Sequence, residues 1–212
     1  MELTIFGASG RIGQQLVSQA LAAGHQVTAV VRQPGDFPLT GAGLQVFGSP
    51  VRDDVENLRR AVAGRQAVLS GLGPRSRKDA GITTPLTRAI VQAMEAESVK
   101  RLLVVSAAPL GPTPVDEPFW LAKIATPLIS AILKGNYDDL RAMEAELASS
   151  NLDWTSVRPP RLLDKPLRGN YRSAIDGNPR AASSIGRADV AAAMLSMIDD
   201  PATFRHPVGV AY

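Results

Sequence analysis

The chain has 212 residues, 45% of them hydrophobic, enough for one sizeable α/β domain around a single core. Its formal net charge of +3 comes from scattered arginines with no basic run, which argues against a nucleic-acid surface. There is no cysteine, so disulfides, thiolate metal sites and a cysteine nucleophile are excluded.

Leu3 to Phe6 reads as a short apolar strand, and Gln14 to Ala23 as a helix with Leu16, Val17, Ala20 and Leu21 on one face. Between them, Gly7-Ala8-Ser9-Gly10-Arg11-Ile12-Gly13 places glycines at a spacing of three, where the commoner fingerprint is Gly-x-Gly-x-x-Gly. A strand, a glycine turn and a helix form the front of a dinucleotide-binding unit. The glycines bring backbone close to a pyrophosphate, and the helix N-terminus offers unpaired N–H groups. A side chain at Gly10 is expected to intrude on that anion. Because the first strand begins at residue 2 or 3, no signal peptide is expected.

Gln26 to Val31 is β-rich and continuously apolar at its end, as a buried parallel strand should be. Arg32 follows it at the position that faces the adenosine ribose in such folds. An acid there suits the 2′-hydroxyl of NAD, whereas an arginine suits the 2′-phosphate of NADP. NADP(H) is therefore the expected cofactor. A Pro/Gly-rich loop over 33–43 leads to a strand at Leu44 to Phe47, a helix at Val55 to Ala63 and a strand at Ala67 to Leu72. A long helix is expected over Asp79 to Glu97, with Ile82, Leu86, Ile90 and Met94 as core packing. A fifth strand follows at Arg101 to Val105 and ends in Ser106.

The segment 110–135 breaks the alternation with Pro112, Pro114 and Pro118, and reads as a loop and helix over the site. Its apolar part, Phe119 to Leu133, is interrupted by Lys123 and Pro127 and is too short to span a membrane, so a cytoplasmic protein with no membrane partner is expected. Asp138 to Ser150 reads as a helix, Asp153 to Val157 and Gly169 to Asp176 as strands, Ser184 to about Ile198 as a capped final helix, and Pro207 to Ala211 as a last strand. Strands and helices alternate throughout with no second domain boundary. The expected architecture is a single α/β domain over residues 1–212, a Rossmann-like doubly wound parallel sheet with small C-terminal elaborations on the substrate side.

With these residues in view, the chain resembles the atypical short-chain dehydrogenase/reductases, within them the NmrA-like family and its biliverdin-IXβ reductase/flavin reductase branch. The likeness is carried by 7–13, Val31-Arg32, Gly71-Leu72-Gly73, Val105-Ser106-Ala107, the run from Ser150 to Pro160 that ends Arg158-Pro159-Pro160, and Ile185-Gly186-Arg187-Ala188-Asp189. The resemblance implies that Gly7, Ser9, Gly10, Arg11 and Ile12 hold the pyrophosphate and that Arg32 meets the 2′-phosphate. It also implies that Leu72 and Gly73 line the adenine–nicotinamide path, with Ser106, Pro159 and Pro160 beside the nicotinamide. Three positions depart from the family pattern. Gly48-Ser49 stands where Gly-Asp is frequent, Asp36 where a second basic residue is frequent, and Arg161 where the reductase branch often has histidine.

A conventional short-chain dehydrogenase pairs tyrosine with a lysine four residues on, so that the tyrosine can act as an acid or base. The nearest approach here is Tyr137-x-x-x-Arg141. Its absence in full disfavours alcohol–ketone chemistry. Hydride delivery to a flavin, quinone or tetrapyrrole needs less acid–base work, because a conjugated acceptor spreads the charge. Ser106 is the candidate catalytic residue, orienting the acceptor or a water. Arg75, Arg77 and Lys78 stand near the expected site mouth, where they would attract an acidic acceptor, or else are solvated loop residues. His25 and His206 are too poorly accompanied for a metal site. The expected partners are a small-molecule acceptor and, at most, a second copy of the chain, since monomer and homodimer are both open. The alternative reading is a non-catalytic NADP(H)-binding sensor of the NmrA-like type.

Overall fold

A computed structural model of the protein describes residues 1–49, 54–73, 81–112 and 133–212. The short apolar runs become the strands β1 (Glu2–Phe6), β2 (Gln26–Val31), β3 (Leu44–Gly48), β4 (Ala67–Ser70), β5 (Arg101–Val105) and β6 (Asp153–Arg158). Three-residue β7 (Arg161–Leu163) and β9 (Ser184–Gly186) flank β8 (Arg172–Ile175), and β10 (His206–Ala211) comes last. The helices among the described residues are α1 (Arg11–Ala22), α2 (Val55–Val62), α3 (Thr83–Ala96), α4 (Lys134–Ser149) and α5 (Arg187–Ser196).

Eight strands form one sheet in the order β3-β2-β1-β4-β5-β6-β10-β8. Every pairing is parallel except that of β8, which runs antiparallel to β10 at the edge. The strand order reverses between β1 and β4, so the sheet is doubly wound and its crevice opens at their carboxyl ends. Alternation along β1 divides the core in two. Leu3 and Ile5 pack with Leu16 and Val17 of α1 and with Val190 and Met194 of α5. Phe6 joins α2, α3 and α4 on the other face through Leu58, Ile90, Met94, Leu140 and Met143. None of the helices among the described residues is long and apolar enough to cross a membrane.

Boundaries move where polar groups decide them. Gly10 acts as the N-cap of α1, so the helix starts at Arg11, ahead of its apolar stripe. α3 starts at Thr83 because the Asp139 carboxylate on α4 accepts from the N–H groups of Thr83 (2.9 Å) and Thr84 (3.0 Å). Ser184 to Gly186, expected as a helix cap, instead pairs with β7 in a two-stranded parallel sheet, and the helix begins at Arg187. The strand expected from Gly169 contracts to Arg172–Ile175, because the N–H groups of Arg168 and Gly169 are drawn to Asp189 Oδ1 at 3.0 and 2.7 Å. The loop-and-helix expectation over 110–135 falls mostly on residues 113–132, and the Arg75, Arg77 and Lys78 cluster on 74–80; both lie outside the described residues.

At the amino end of the sheet, buried Arg101 satisfies its guanidinium on acceptors from two directions. It donates to the carbonyls of Ile198 (2.8 Å), Met197 and Asp153 (2.7 Å) and to the hydroxyls of Thr155 and Thr203. Burial lowers its pKa to about 10, opposed by Asp153, Asp199 and Asp200, so the charge persists at neutral pH and caps the carboxyl end of α5.

The opposite end of the sheet is governed by contact between backbones. Gly7 leaves β1 with φ +66°, and its place for a Cβ lies 2.9 Å from the Leu72 nitrogen. Gly71 donates its N–H to the Phe6 carbonyl at 3.0 Å. A Cβ on Gly71 would lie 3.1 Å from the Gly13 nitrogen, and one on Gly13 only 2.1 Å from the Gly7 oxygen. Three glycines thus interlock at the point where the strand order reverses. Gly13→Ala is expected to cost at least the 1–3 kcal/mol or so of an overpacked core site. Gly73→Ala, with nothing within 4 Å of its Cβ position, should stay within about 0.5 kcal/mol. Urea unfolding of both variants checks the contrast.

Candidate functional site

The glycine turn closes on itself, with the Gly10 N–H donating to the Gly7 carbonyl at 2.8 Å. Helix α1 then begins without a capping side chain and without an acid in its first turn. Helix geometry leaves the first N–H groups, including those of Arg11 and Ile12, without intrahelical partners. Ser9 is exposed beside them, and its carbonyl accepts from the Gln14 side chain at 3.2 Å. The Ile12 side chain is buried in the core, so its contribution to the turn is its N–H. A bare, acid-free turn of this kind fits a dinucleotide phosphate through backbone N–H groups and the helix dipole. One expectation changes its reason. A Cβ at Gly10 would point back to the Gly7 oxygen at 3.1 Å and the Gly71 oxygen at 3.8 Å. Gly10 is required first by the turn's own packing.

Arg32 is exposed at the carboxyl end of β2. Next to it, Ser49 is buried and donates its N–H to the Val31 carbonyl at 2.8 Å, while the Asn57 side chain donates to the Ser49 hydroxyl at 3.2 Å. The serine that departs from the family pattern is thus tied into the end of β3. Asp36 sits exposed in a short turn of 3₁₀ helix, Pro34–Asp36. Leu72 is half-buried at the end of β4, and Gly73 is exposed with open space where a Cβ would go.

The other half of the crevice is set by β5 and β6. The Ser106 N–H donates to the Val157 carbonyl at 2.7 Å, and the Ala108 N–H to the Pro159 carbonyl at 2.9 Å, which fixes both strand ends to each other. Pro159 is buried and Pro160 half-buried. The Ser106 hydroxyl is buried and makes no well-formed hydrogen bond. It faces Glu144 of α4, whose carboxylate sits in a compact network. Arg158 donates through Nε to Oε1 at 2.9 Å and through Nη2 to Oε2 at 2.6 Å, and Ser156 donates to Oε1 at 2.6 Å. Burial pushes the Glu144 carboxyl up, but the bonds from Arg158 and Ser156, with a smaller one from Ser106, outweigh it and leave the pKa below its usual value.

Tyr137 and Arg141 do not act together. Tyr137 lies in the apolar cluster between α3 and α4, and burial alone raises its pKa. Arg141 turns to solvent and bonds Asp138 at 2.9 Å. His206 pairs with Asp176 at 2.9 Å, and His25 Nδ1 lies 3.2 Å from the Met1 nitrogen.

Two features escape a reading of the sequence. Glu144 is a carboxylate one turn before buried Leu147 and next to buried Met143, and that placement on an apolar face is the signal that it has a buried cationic partner. The other is an ionic clasp. Arg11 and Arg187 both reach Asp164, at 2.8 and 2.6 Å, from the first residues of α1 and α5. Asp189, within the motif quoted from α5, turns out to be an anchor. It accepts from Arg168, Gly169 and the Tyr212 hydroxyl, the last at 2.6 Å.

Fold and crevice together define a nucleotide-binding α/β protein of the doubly wound class. The family model described as NAD(P)H-binding matches residues 7–201, and the chain belongs to that family. It therefore binds a nicotinamide dinucleotide. Two Bacillus subtilis proteins are similar over nearly their whole length. YwnB, named as uncharacterized, is 27% identical over 95% of this chain and 93% of its own. YhfK, named an uncharacterized sugar epimerase, is 26% identical over 96% and 90%. A Veillonella parvula structure described as a short-chain dehydrogenase/reductase in complex with NADP shares the fold at a TM-score of 0.80. It is 23% identical, covering 100% of this chain and 94% of its own.

The Glu144 network gives a stability prediction. Its folded-state pKa lies below the unfolded value of 4.5, so its contribution is complete above about that pH and is lost as pH falls through the lowered value. Glu144→Ala leaves Arg158 unpaired and is expected to cost roughly 3–5 kcal/mol at neutral pH, with a shallower acid limb than wild type. Thermal unfolding from pH 3 to 7 measures both.

Proposed function

We propose that this protein is an NADPH-dependent oxidoreductase that delivers hydride to a conjugated acceptor, a flavin, quinone or tetrapyrrole, as in the biliverdin-IXβ reductase/flavin reductase branch it resembles. In this reading Gly7, Ser9, Gly10, Arg11 and Ile12 hold the pyrophosphate and Arg32 holds the 2′-phosphate. Leu72 and Gly73 line the path between the two ends, and Ser106, Pro159 and Pro160 border the nicotinamide. The bare glycine turn, the exposed guanidinium of Arg32 and the open backbone at Gly73 support that assignment. The Veillonella protein of the same fold, solved in complex with NADP, supports a nicotinamide dinucleotide as the ligand. When bound, the reduced nicotinamide supplies the hydride; the protein supplies binding, orientation and electrostatics.

The observation that carries the acceptor class is the separation of Tyr137 from Arg141. A ketone or a sugar hydroxyl develops alkoxide charge that must be met by an acid–base group with a pKa drawn toward neutrality. Here burial moves Tyr137 the other way, and the cation four residues on is spent on Asp138. The same argument weighs against epimerase chemistry of the kind named for YhfK, which passes through an oxidised hydroxyl. A conjugated acceptor spreads the charge, and water protonates it. A second reading, a non-catalytic NADP(H) sensor, draws on one fact: the hydroxyls of Ser106 and Tyr137 both belong to buried residues. NADPH oxidation with FMN, FAD, riboflavin, small quinones and biliverdins separates the two. Turnover with any of them supports the reductase, and tight NADPH binding with silence across the panel supports the sensor.

Two outcomes are expected. NADPH should bind about tenfold or more tightly than NADH, since a charge-assisted bond from Arg32 is worth about 1.5–3 kcal/mol, and Arg32→Ser should erase the difference in a fluorescence titration. Tyr137→Phe should keep kcat within about threefold of wild type. A loss of about a hundredfold, near the 10²–10⁴ of a general acid, would return the protein to the tyrosine-dependent dehydrogenases.

A further inference from the structure

The guanidinium of Arg158 is only half used. Arg158 is the last residue of β6, and the register Val104↔Ser156 and Val105↔Val157 sets it opposite Ser106. Side chains alternate along a strand and neighbouring strands lie about 4.8 Å apart, so Ser106, Ser156 and Arg158 share the face covered by α4. There Nε and Nη2 are taken by the Glu144 carboxylate. The fork is planar and rigid, so its remaining nitrogen, Nη1, is on the edge away from that carboxylate. Among the described residues Nη1 makes no hydrogen bond, although the side chain is just 11% exposed. Nor is it sealed in: the fully buried polar atoms left without a partner include the Ser106 hydroxyl but not Nη1. Past the 3₁₀ turn Ala108–Leu110 the chain returns at Gly111, where a Cβ would lie 3.2 Å from Nη1. The φ of Gly111 is −83°, open to any residue, so the backbone does not demand glycine there. What the missing side chain leaves is an uncovered Nη1 at the carboxyl edge of the sheet, where such folds bind their ligands.

We propose that Arg158 is a catalytic residue whose Nη1 donates a hydrogen bond to a carbonyl oxygen of the acceptor. The proposal rests on the reductase function argued above and narrows it to acceptors with a carbonyl conjugated to the atom that takes the hydride, as in flavins and quinones. Glu144 is ionised at neutral pH and balances the cation, so the crevice meets an N–H donor with little net charge, which suits a neutral carbonyl. In the reaction the acceptor gains one hydride, two electrons with one proton, and the reduced nicotinamide loses it. Conjugation carries the added charge to the carbonyl oxygen, where Arg158 holds it until water supplies the second proton. Arg158 keeps its own protons, since a guanidinium does not titrate in this range. A charge-assisted donor that is already in place and nearly desolvated strengthens as the oxygen becomes negative, as in an oxyanion hole. It does for the acceptor what buried Tyr137 cannot.

Wild type, Arg158→Lys and Gly111→Ala, assayed with menadione and riboflavin, test this. Lysine keeps the charge beside Glu144 but has no second edge to present, whereas alanine covers Nη1 and leaves the ion pair intact. Both should lower kcat about ten- to a hundredfold at saturating NADPH, short of the 10²–10³ or so of a localised oxyanion, with the acceptor KM rising by no more than about fivefold. NADPH affinity, read by fluorescence, should stay within about twofold of wild type. In infrared difference spectra of riboflavin bound beside NADP⁺, the carbonyl band should lie at lower wavenumber in wild type than in either variant. Thermal unfolding checks folding, and if Arg158→Lys does not fold, Gly111→Ala decides. A kcat within about threefold of wild type in a folded variant, or an unmoved carbonyl band, overturns the proposal. A parallel loss of NADPH affinity would give the carbonyl to the cofactor's carboxamide and overturn its assignment to the acceptor. If wild type reduces no acceptor, the reductase reading fails, and the infrared comparison alone decides whether Arg158 holds a carbonyl. Riboflavin that does not bind at all would overturn that as well.

Discussion

The constraint on which the rest depends is the absence of room for a single carbon atom. At the crossing between β1 and β4, the position for a Cβ on Gly13 is 2.1 Å from the Gly7 oxygen, while those on Gly7 and Gly71 lie 2.9 and 3.1 Å from the Leu72 and Gly13 nitrogens. Only glycines let α1 start against the end of β1 while β4 passes beside it. That contact sets the helix axis, aims its unpaired N–H groups over the carboxyl edge of the sheet, and keeps side chains out of the turn. The bare, acid-free start of α1 follows from this packing.

Around that point the structure divides its labour between the two edges of the sheet. The amino edge is locked by Arg101, whose guanidinium ties β5 to the end of α5 and to Thr155 and Thr203. The carboxyl edge is held by fewer and more adaptable groups. On the α4 side, the Glu144–Arg158 pair ties α4 to the end of β6. On the α1 side, the Asp164 clasp is largely open to solvent. A buried carboxylate paired in this way holds geometry more than it adds stability, since replacing such a pair by apolar residues is often neutral. Its place next to Ser106 suits a site that must present a flat, well-positioned wall.

Much of this was legible in the sequence. β2 and β5 match their expected limits because they are buried on both faces and end in apolar runs, Ala29 to Val31 and Leu102 to Val105. The glycine turn and Arg32 sit where their spacing from the strands put them. Elements set by distant partners were not legible. β7 and β9 are three residues each and exist only because they pair with each other. α3 begins where a carboxylate from α4 meets it, and β8 is cut short by the pull of Asp189. Glu144 was missed because its partner is fourteen residues away on another element. Asp164 was missed because nothing in a loop sequence says which arginines it will meet.

The central claim, that a phosphorylated nicotinamide dinucleotide lies across this crevice, is tested most directly by a crystal structure of the protein grown with NADP⁺. The account predicts the pyrophosphate within hydrogen-bonding distance of the N–H groups at the start of α1. It also predicts the 2′-phosphate on Arg32 and the nicotinamide between Ser106 and the Pro159-Pro160 turn. A cofactor bound away from the glycine turn, or a 2′-phosphate that leaves Arg32 in solvent, would contradict it.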